Sequence, residues 1–109
     1  MTDRKSFTYQ LQSSDDVDAA LRQLPGWSGS TERLVRTVVS GNPDALLEQV
    51  SAIEAEMDHH AKAERSDAGV TFTVWTHSKG GVTDADLELA RRISAVADAL
   101  GGVGTEPVI

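Results

Sequence analysis

The chain has 109 residues, no cysteine and a formal net charge of −7 at pH 7. Its negative charge repels the phosphate backbones of nucleic acids and acidic lipids. No apolar run approaches the roughly 20 residues that span a bilayer. The lack of cysteine excludes disulfides and cysteine catalysis. We therefore expect one cytoplasmic domain that binds neither nucleic acid directly nor a membrane.

A short helix and a strand are predicted in the first third of the chain. Ser14 is a capping residue followed by two aspartates, and apolar side chains recur at helical spacing until a Pro-Gly stop. β-Branched residues crowd positions 31–39, which predicts a strand, with Trp27 at the start of its hairpin partner. Residues 7–11 could add a further strand.

A second helix and a second strand follow. Asn42 and Pro43 form a helix start, and an apolar face that continues to Met57 defines the second helix. Residues 61–67 are predicted as a loop. In residues 68–77 valine and phenylalanine alternate with threonine and tryptophan, which is the period-two pattern of a half-buried antiparallel strand.

The last predicted helix begins at Thr83, which forms a capping-box-like pair with Asp86, and its apolar face runs to Leu100. These elements predict an α+β fold, in which a small antiparallel sheet of about four strands carries three helices packed on one face. We expect a single domain over residues 1–109, with a core over about 14–101 and loose ends.

All three histidines lie at two junctions between predicted elements, His59 and His60 after the second helix and His77 at the end of a strand. His59 and His60 could be helix-end residues, because the helix dipole stabilises a terminal imidazolium by about 0.3–1 kcal/mol. All three histidines have two further possible roles. They could bind zinc or iron with Asp58, although consecutive helical residues point about 100° apart and no HxxxH or HExxH spacing is present. They could also transfer protons, with Asp58 or Asp86 orienting a ring. The residues alone leave these three alternatives open.

The motifs between residues 26 and 100 have a characteristic order. They are Gly-Trp, a β-hairpin, a helix ending in Met-Asp-His-His, a strand Val-Thr-Phe-Thr-Val-Trp-Thr-His, and the segment Gly-Gly-Val-Thr-Asp-Ala-Asp-Leu. This order resembles the pterin-4a-carbinolamine dehydratase family. The resemblance implies an active site of seven residues, four of them catalytic (His59, His60, His77, Asp86) and three binding substrate (Asp58, Thr76, Trp75). The chain departs from the family at Ala61, where proline is common, and in residues 61–67, which lack the family's aromatic side chains.

The resemblance also implies an activity. The family reaction is the dehydration of 4a-hydroxytetrahydropterin to quinonoid dihydropterin, which recycles the pterin cofactor of aromatic amino-acid hydroxylases. It implies no metal or further cofactor and a homodimer or homotetramer. His60 would be the acid–base group nearest the departing hydroxyl, His77 its counterpart, and His59 an assisting or binding group. The alternative is a non-catalytic pterin-binding or protein-interaction module on the same fold, which the changed loop at residues 61–67 favours.

Overall fold

Three α-helices and one four-stranded sheet form the described part of the chain, residues 7–100 of a computed structural model. The helices are α1 (Ser14–Leu21), α2 (Pro43–Met57) and α3 (Asp84–Ala99), and the strands are β1 (Ser28–Gly29), β2 (Leu34–Val38), β3 (Lys62–Ser66) and β4 (Gly69–Val74). All neighbouring strands pair antiparallel, in the order β1-β2-β4-β3. The predicted α+β class is confirmed. The predicted domain bounds extend beyond the described residues.

The helix starts follow from local capping. Asn42 Oδ1 accepts the Ala45 N–H at 3.1 Å ahead of the proline that opens α2. The predicted pair of Thr83 and Asp86 forms a full capping box at the start of α3. The predicted cap of α1 is wrong by one residue, because Ser13, not Ser14, has the spacing that lets its hydroxyl bind the backbone three residues ahead.

The core lies between the sheet and the helices. Alternate residues of β4 are buried as the period-two pattern predicted, and α3 packs on β2, on β4 and on α2. Full burial of a side chain such as Phe72, which is 0% exposed, is worth about 1.5–3 kcal/mol. No helix within residues 7–100 is long and apolar enough to cross a membrane.

Two predictions about strands are wrong. The loop predicted at residues 61–67 is largely the strand β3, which forms a hairpin with β4 in which Ser66 pairs with Gly69. All five residues of β3 are exposed at the sheet edge, so the strand has no apolar alternation that could reveal it. The strand predicted at residues 7–11 is absent from the described structure, where only a single bridge joins Leu11 to Thr83.

The hairpin predicted around Trp27 is confirmed, although it is small. β1 begins directly after Trp27, and Ser28 pairs with Val35 of β2. β2 is shorter than the predicted strand at residues 31–39, since the polar residues before Leu34 form the turn of this hairpin.

Candidate active site

The backbone turn after α2 separates the two adjacent histidines. Asp58 caps the helix in the left-handed conformation (φ 57°, ψ 44°), and the N–H groups of Asp58 and His59 both bind the Glu54 carbonyl. The helix therefore ends before the pair, and the two rings enter different surroundings. His59 is 9% exposed, whereas the His60 side chain is 68% exposed.

A buried carboxylate holds the inner side of His59. Asp86 is 0% exposed, and its Oδ1 lies 2.6 Å from His59 Nε2. Its Oδ2 accepts the Thr83 N–H at 2.9 Å and the Thr76 hydroxyl at 2.8 Å. Because a carboxylate can only accept, His59 Nε2 donates, and Nδ1 is the ring nitrogen that Asp86 does not engage. Asp86 thus fixes both the orientation of the ring and its tautomer.

A second carboxylate lies beside His60. Glu54 has a side chain only 13% exposed, and its Oε1 is 3.5 Å from His60 Nδ1. Its Oε2 accepts the backbone N–H of Ala61 at 2.9 Å. Proline at position 61 would have no N–H to donate, so this hydrogen bond restrains the chain where the family resemblance led us to expect a proline. Glu54 therefore supports the segment that carries His60.

The predicted site residues meet at one cleft of about 460 Å³. Six of the seven line it: His59, His60, His77, Asp58, Thr76 and Trp75. The seventh, Asp86, lies behind His59 and does not line the cleft. The volume suits a small ligand, because such sites typically measure about 300–1,000 Å³.

His77 lies three residues beyond β4, because the strand predicted at residues 68–77 ends at Val74. It begins a short 3₁₀ turn, and its exposed ring lies 4.4 Å from the Trp75 ring, measured between centroids. The Arg33 guanidinium lies over the Trp75 ring at 4.7 Å from its centroid, a cation–π contact that fixes the indole. The segment directly after β4 therefore supplies one exposed imidazole and one aromatic surface to the cleft.

The same donors are not arranged to bind a metal ion. Within residues 7–100, no three histidine, aspartate or glutamate side chains are placed to coordinate one ion. His59 Nε2 is bound by Asp86, and His60 is turned outward. The donor geometry of these residues therefore gives no support to the zinc or iron alternative.

Comparisons with known proteins agree with the family resemblance seen in the order of the motifs. The model of the family described as pterin 4 alpha carbinolamine dehydratase matches residues 10–96. The chain belongs to this dehydratase family. A relative from Nocardia farcinica, provisionally named pterin-4-alpha-carbinolamine dehydratase, is 36% identical over 93 residues that cover 83% of this chain and 98% of that protein. A relative of the same name from Mycobacteroides abscessus is 38% identical over 89 residues, covering 76% and 92%.

The fold of this pterin-4a-carbinolamine dehydratase family member also has a solved counterpart. A crystal structure from Brucella melitensis, described as a transcriptional coactivator/pterin dehydratase, matches with a TM-score of 0.76 at 27% identity. The match covers 81% of this chain and 99% of that chain. The helices and the sheet that position the cleft are thus those of a pterin dehydratase fold.

Two residues, one that lines the cleft and one that supports it, were not found by the sequence-based prediction. Tyr9 lines the cleft but lies one residue before the range that matches the family. Glu54 lies on α2 and does not line the cleft, but its side chain accepts the N–H of Ala61, which does line it. Both contributions depend on contacts made after folding, and no local motif marks either residue.

Proposed function

We propose that this chain dehydrates a 4a-hydroxytetrahydropterin to quinonoid dihydropterin by histidine general acid–base catalysis. The observation that supports this most directly is the convergence of His59, His60 and His77 on one cleft. Family membership supplies the class of substrate, because the matching family and the relatives carry the dehydratase name.

The proposed reaction is a balanced exchange of protons. The bond between C4a and the hydroxyl oxygen breaks, and the departing oxygen takes a proton from an acid to leave as water. The adjacent ring nitrogen gives its proton to a base, and the electron pair of that N–H bond forms the C=N double bond. No electrons enter or leave the substrate. Two imidazoles can supply both proton transfers, so the proposed reaction uses no metal or further cofactor.

The exposure of each ring supports the proposed roles only in part. His60 and His77 are both exposed at the cleft, so both can exchange protons with a bound ligand. The division between them follows the family resemblance: His60 is assigned to the departing hydroxyl and His77 to the ring nitrogen. His59, held by Asp86, offers Nδ1 as an assisting or binding group. The remaining predicted residues would contact the pterin: Asp58, Thr76 and Trp75.

The test is the dehydration rate of the purified chain on 4a-hydroxytetrahydropterin. His60→Ala and His77→Ala should each lower kcat by about 10²–10⁴-fold, the usual contribution of one acid–base group. Gln49→Ala changes an exposed residue of α2 outside the cleft and serves as the control. Treatment with a chelator should leave the rate unchanged.

Three results would contradict the proposal in different ways. Binding of dihydropterin without acceleration by the wild-type chain would identify a non-catalytic pterin-binding module. Neither binding nor acceleration would remove the pterin function altogether. Full activity in His60→Ala and His77→Ala would leave the dehydratase reading intact but overturn the assigned roles.

The proposal extends to the setting of the reaction. We place it in the cytoplasm, in recycling of the cofactor of an aromatic amino-acid hydroxylase, and in a homodimer or homotetramer. The outer edge of β3 supports assembly, because an exposed sheet edge offers backbone groups with which a second chain can pair.

A further inference from the structure

The segment before α1 is held at the start of α3 mainly by hydrogen bonds to one side chain, that of Asp84. Asp84, the first residue of α3, accepts the Thr8 N–H at 3.1 Å and the Thr8 hydroxyl at 3.2 Å through Oδ2. Its Oδ1 accepts the Gln10 N–H at 2.9 Å. The N–H of Gln12 adds a bond to the Val82 carbonyl at 2.9 Å. Residues on both sides of Tyr9 are therefore fixed to the same helix start.

Tyr9 itself has an uncommon backbone conformation. Its φ is 54°, in the left-handed region that a residue with a side chain enters at a cost of about 1–2 kcal/mol. The bonds from Thr8 and Gln10 to Asp84 bracket this residue and stabilise the conformation. The result is a half-buried phenol that lines the cleft, with its ring centroid 6.1 Å from that of His59. The Phe7 ring packs edge-on behind it at 6.2 Å.

The cleft otherwise offers little aromatic surface. Apart from the histidines, the aromatic side chains that line it in the described structure are Tyr9 and Trp75. β3, which follows the histidine pair, has the sequence Lys-Ala-Glu-Arg-Ser and contributes none. A pterin is a flat heteroaromatic bicycle, and flat rings of this kind bind by stacking on aromatic side chains.

From these contacts we infer that Tyr9 is a substrate-binding residue that stacks on the pterin ring, and that Asp84 is the positioning residue that holds it there. The inference rests on the proposed function for the identity of the ligand. It goes beyond that function because Tyr9 lies outside the range that matches the family, so this chain supplies the aromatic surface from its own N-terminal segment.

The first experiment measures the dissociation constant of 7,8-dihydrobiopterin for the full chain and two variants. Tyr9→Gly removes the ring while glycine accepts the left-handed backbone, so the segment keeps its path. Its Kd should rise roughly 5- to 150-fold, which corresponds to the loss of one aromatic stacking contact. Tyr9→Phe retains the ring and should stay within about threefold of wild type. KM should rise with Kd while kcat changes little, because the ring binds substrate and transition state alike.

The second experiment tests whether Asp84 acts through Tyr9. Asp84→Asn should raise Kd in the wild-type background and have little further effect in Tyr9→Gly, a dependence that a merely structural role would not produce. The control is Asp15→Asn, which changes an exposed first-turn aspartate in α1 and should leave Kd unchanged.

The outcomes separate this inference from the proposed function. A wild-type chain that binds and dehydrates pterin, together with a Tyr9→Gly variant of equal Kd, would overturn the role of Tyr9 alone. Additive effects of Asp84→Asn and Tyr9→Gly would overturn the role of Asp84. A wild-type chain that neither binds nor dehydrates pterin would overturn both proposals.

Discussion

Replacing Asp86 with asparagine should reverse the tautomer of His59. The oxygen that faces Thr83 must remain an acceptor, because the Thr83 backbone N–H at 2.9 Å can only donate. The amide nitrogen of asparagine would then occupy the position 2.6 Å from His59 Nε2 and donate to it. In the wild type Nε2 donates, so in Asp86→Asn the ring hydrogen must move to Nδ1.

The cost in stability can be estimated from the same contacts. Asp86→Asn exchanges a hydrogen bond to a charged group, worth about 1.5–3 kcal/mol, for a neutral one of about 0.5–1.5 kcal/mol. The free energy of unfolding should therefore fall by about 1–2 kcal/mol, which lowers Tm by roughly 4–16 °C for a domain of this size. Asp86→Ala should lower the free energy of unfolding by about 3–5 kcal/mol, because it leaves the buried His59 without its carboxylate partner and also removes the capping box of α3.

The assay combines nitrogen NMR of labelled histidine with urea unfolding and the dehydration rate. The His59 ring should carry its hydrogen on Nε2 in the wild type and on Nδ1 in Asp86→Asn, and the dehydration rate should fall because the cleft then meets the wrong tautomer. Asp98→Asn changes an exposed aspartate of the same helix and is the control. An asparagine variant that keeps the hydrogen on Nε2 would refute the reasoning.

Two further predictions concern the carboxylates beside the cleft. Burial raises the pKa of Asp84, but the hydrogen bonds from the backbone of Gln10 and Thr8 outweigh it and hold the pKa below its ordinary value of 3.8. The resulting stabilisation is fully present above pH 3.8 and is lost as the pH falls through the lower pKa of the folded state. The Thr8 and Gln10 amides should therefore lose protection from hydrogen exchange below pH 3.8. Unchanged protection would contradict this role of Asp84. Glu54→Ala should lower the free energy of unfolding by about 1–3 kcal/mol and slow dehydration, because it leaves the part-buried Ala61 N–H without its acceptor. Urea unfolding measures this loss. The control Glu56→Ala removes only an exposed ion pair and should lower the free energy of unfolding by less than about 1 kcal/mol.

The elements that the sequence predicted best are those with local signals. The start of α2 at Asn42-Pro43 and the capping box of α3 are written in a few adjacent residues, and the alternation along β4 reports burial on one face. β3 has no such signal. It is a strand only because its backbone pairs with β4, while its five exposed side chains could equally belong to a loop.

The candidate site shows the same division between local and long-range information. The histidines and Asp86 were found because their order along the chain resembles a family pattern. Tyr9 reaches the cleft through bonds to Asp84, which lies more than 70 residues away in sequence, so no local pattern could reveal it. The role of Glu54 depends equally on a left-handed turn at Asp58 that brings Ala61 back to the helix.

The first turn of α3 links stability and function through the same atoms. Asp84 and Asp86 are both favoured there by the helix dipole, which accounts for two acidic residues in the first turn without any reference to a ligand. Yet Asp84 also holds the segment of Tyr9, and Asp86 also holds the ring of His59. A substitution at either position therefore removes a helix-stabilising charge and displaces a cleft side chain together. Substitutions at these two positions should therefore lower stability and ligand binding together. Tyr9→Gly should behave differently, because glycine adopts the left-handed backbone of residue 9 more readily than tyrosine does. In that variant ligand binding should fall while stability is maintained or rises.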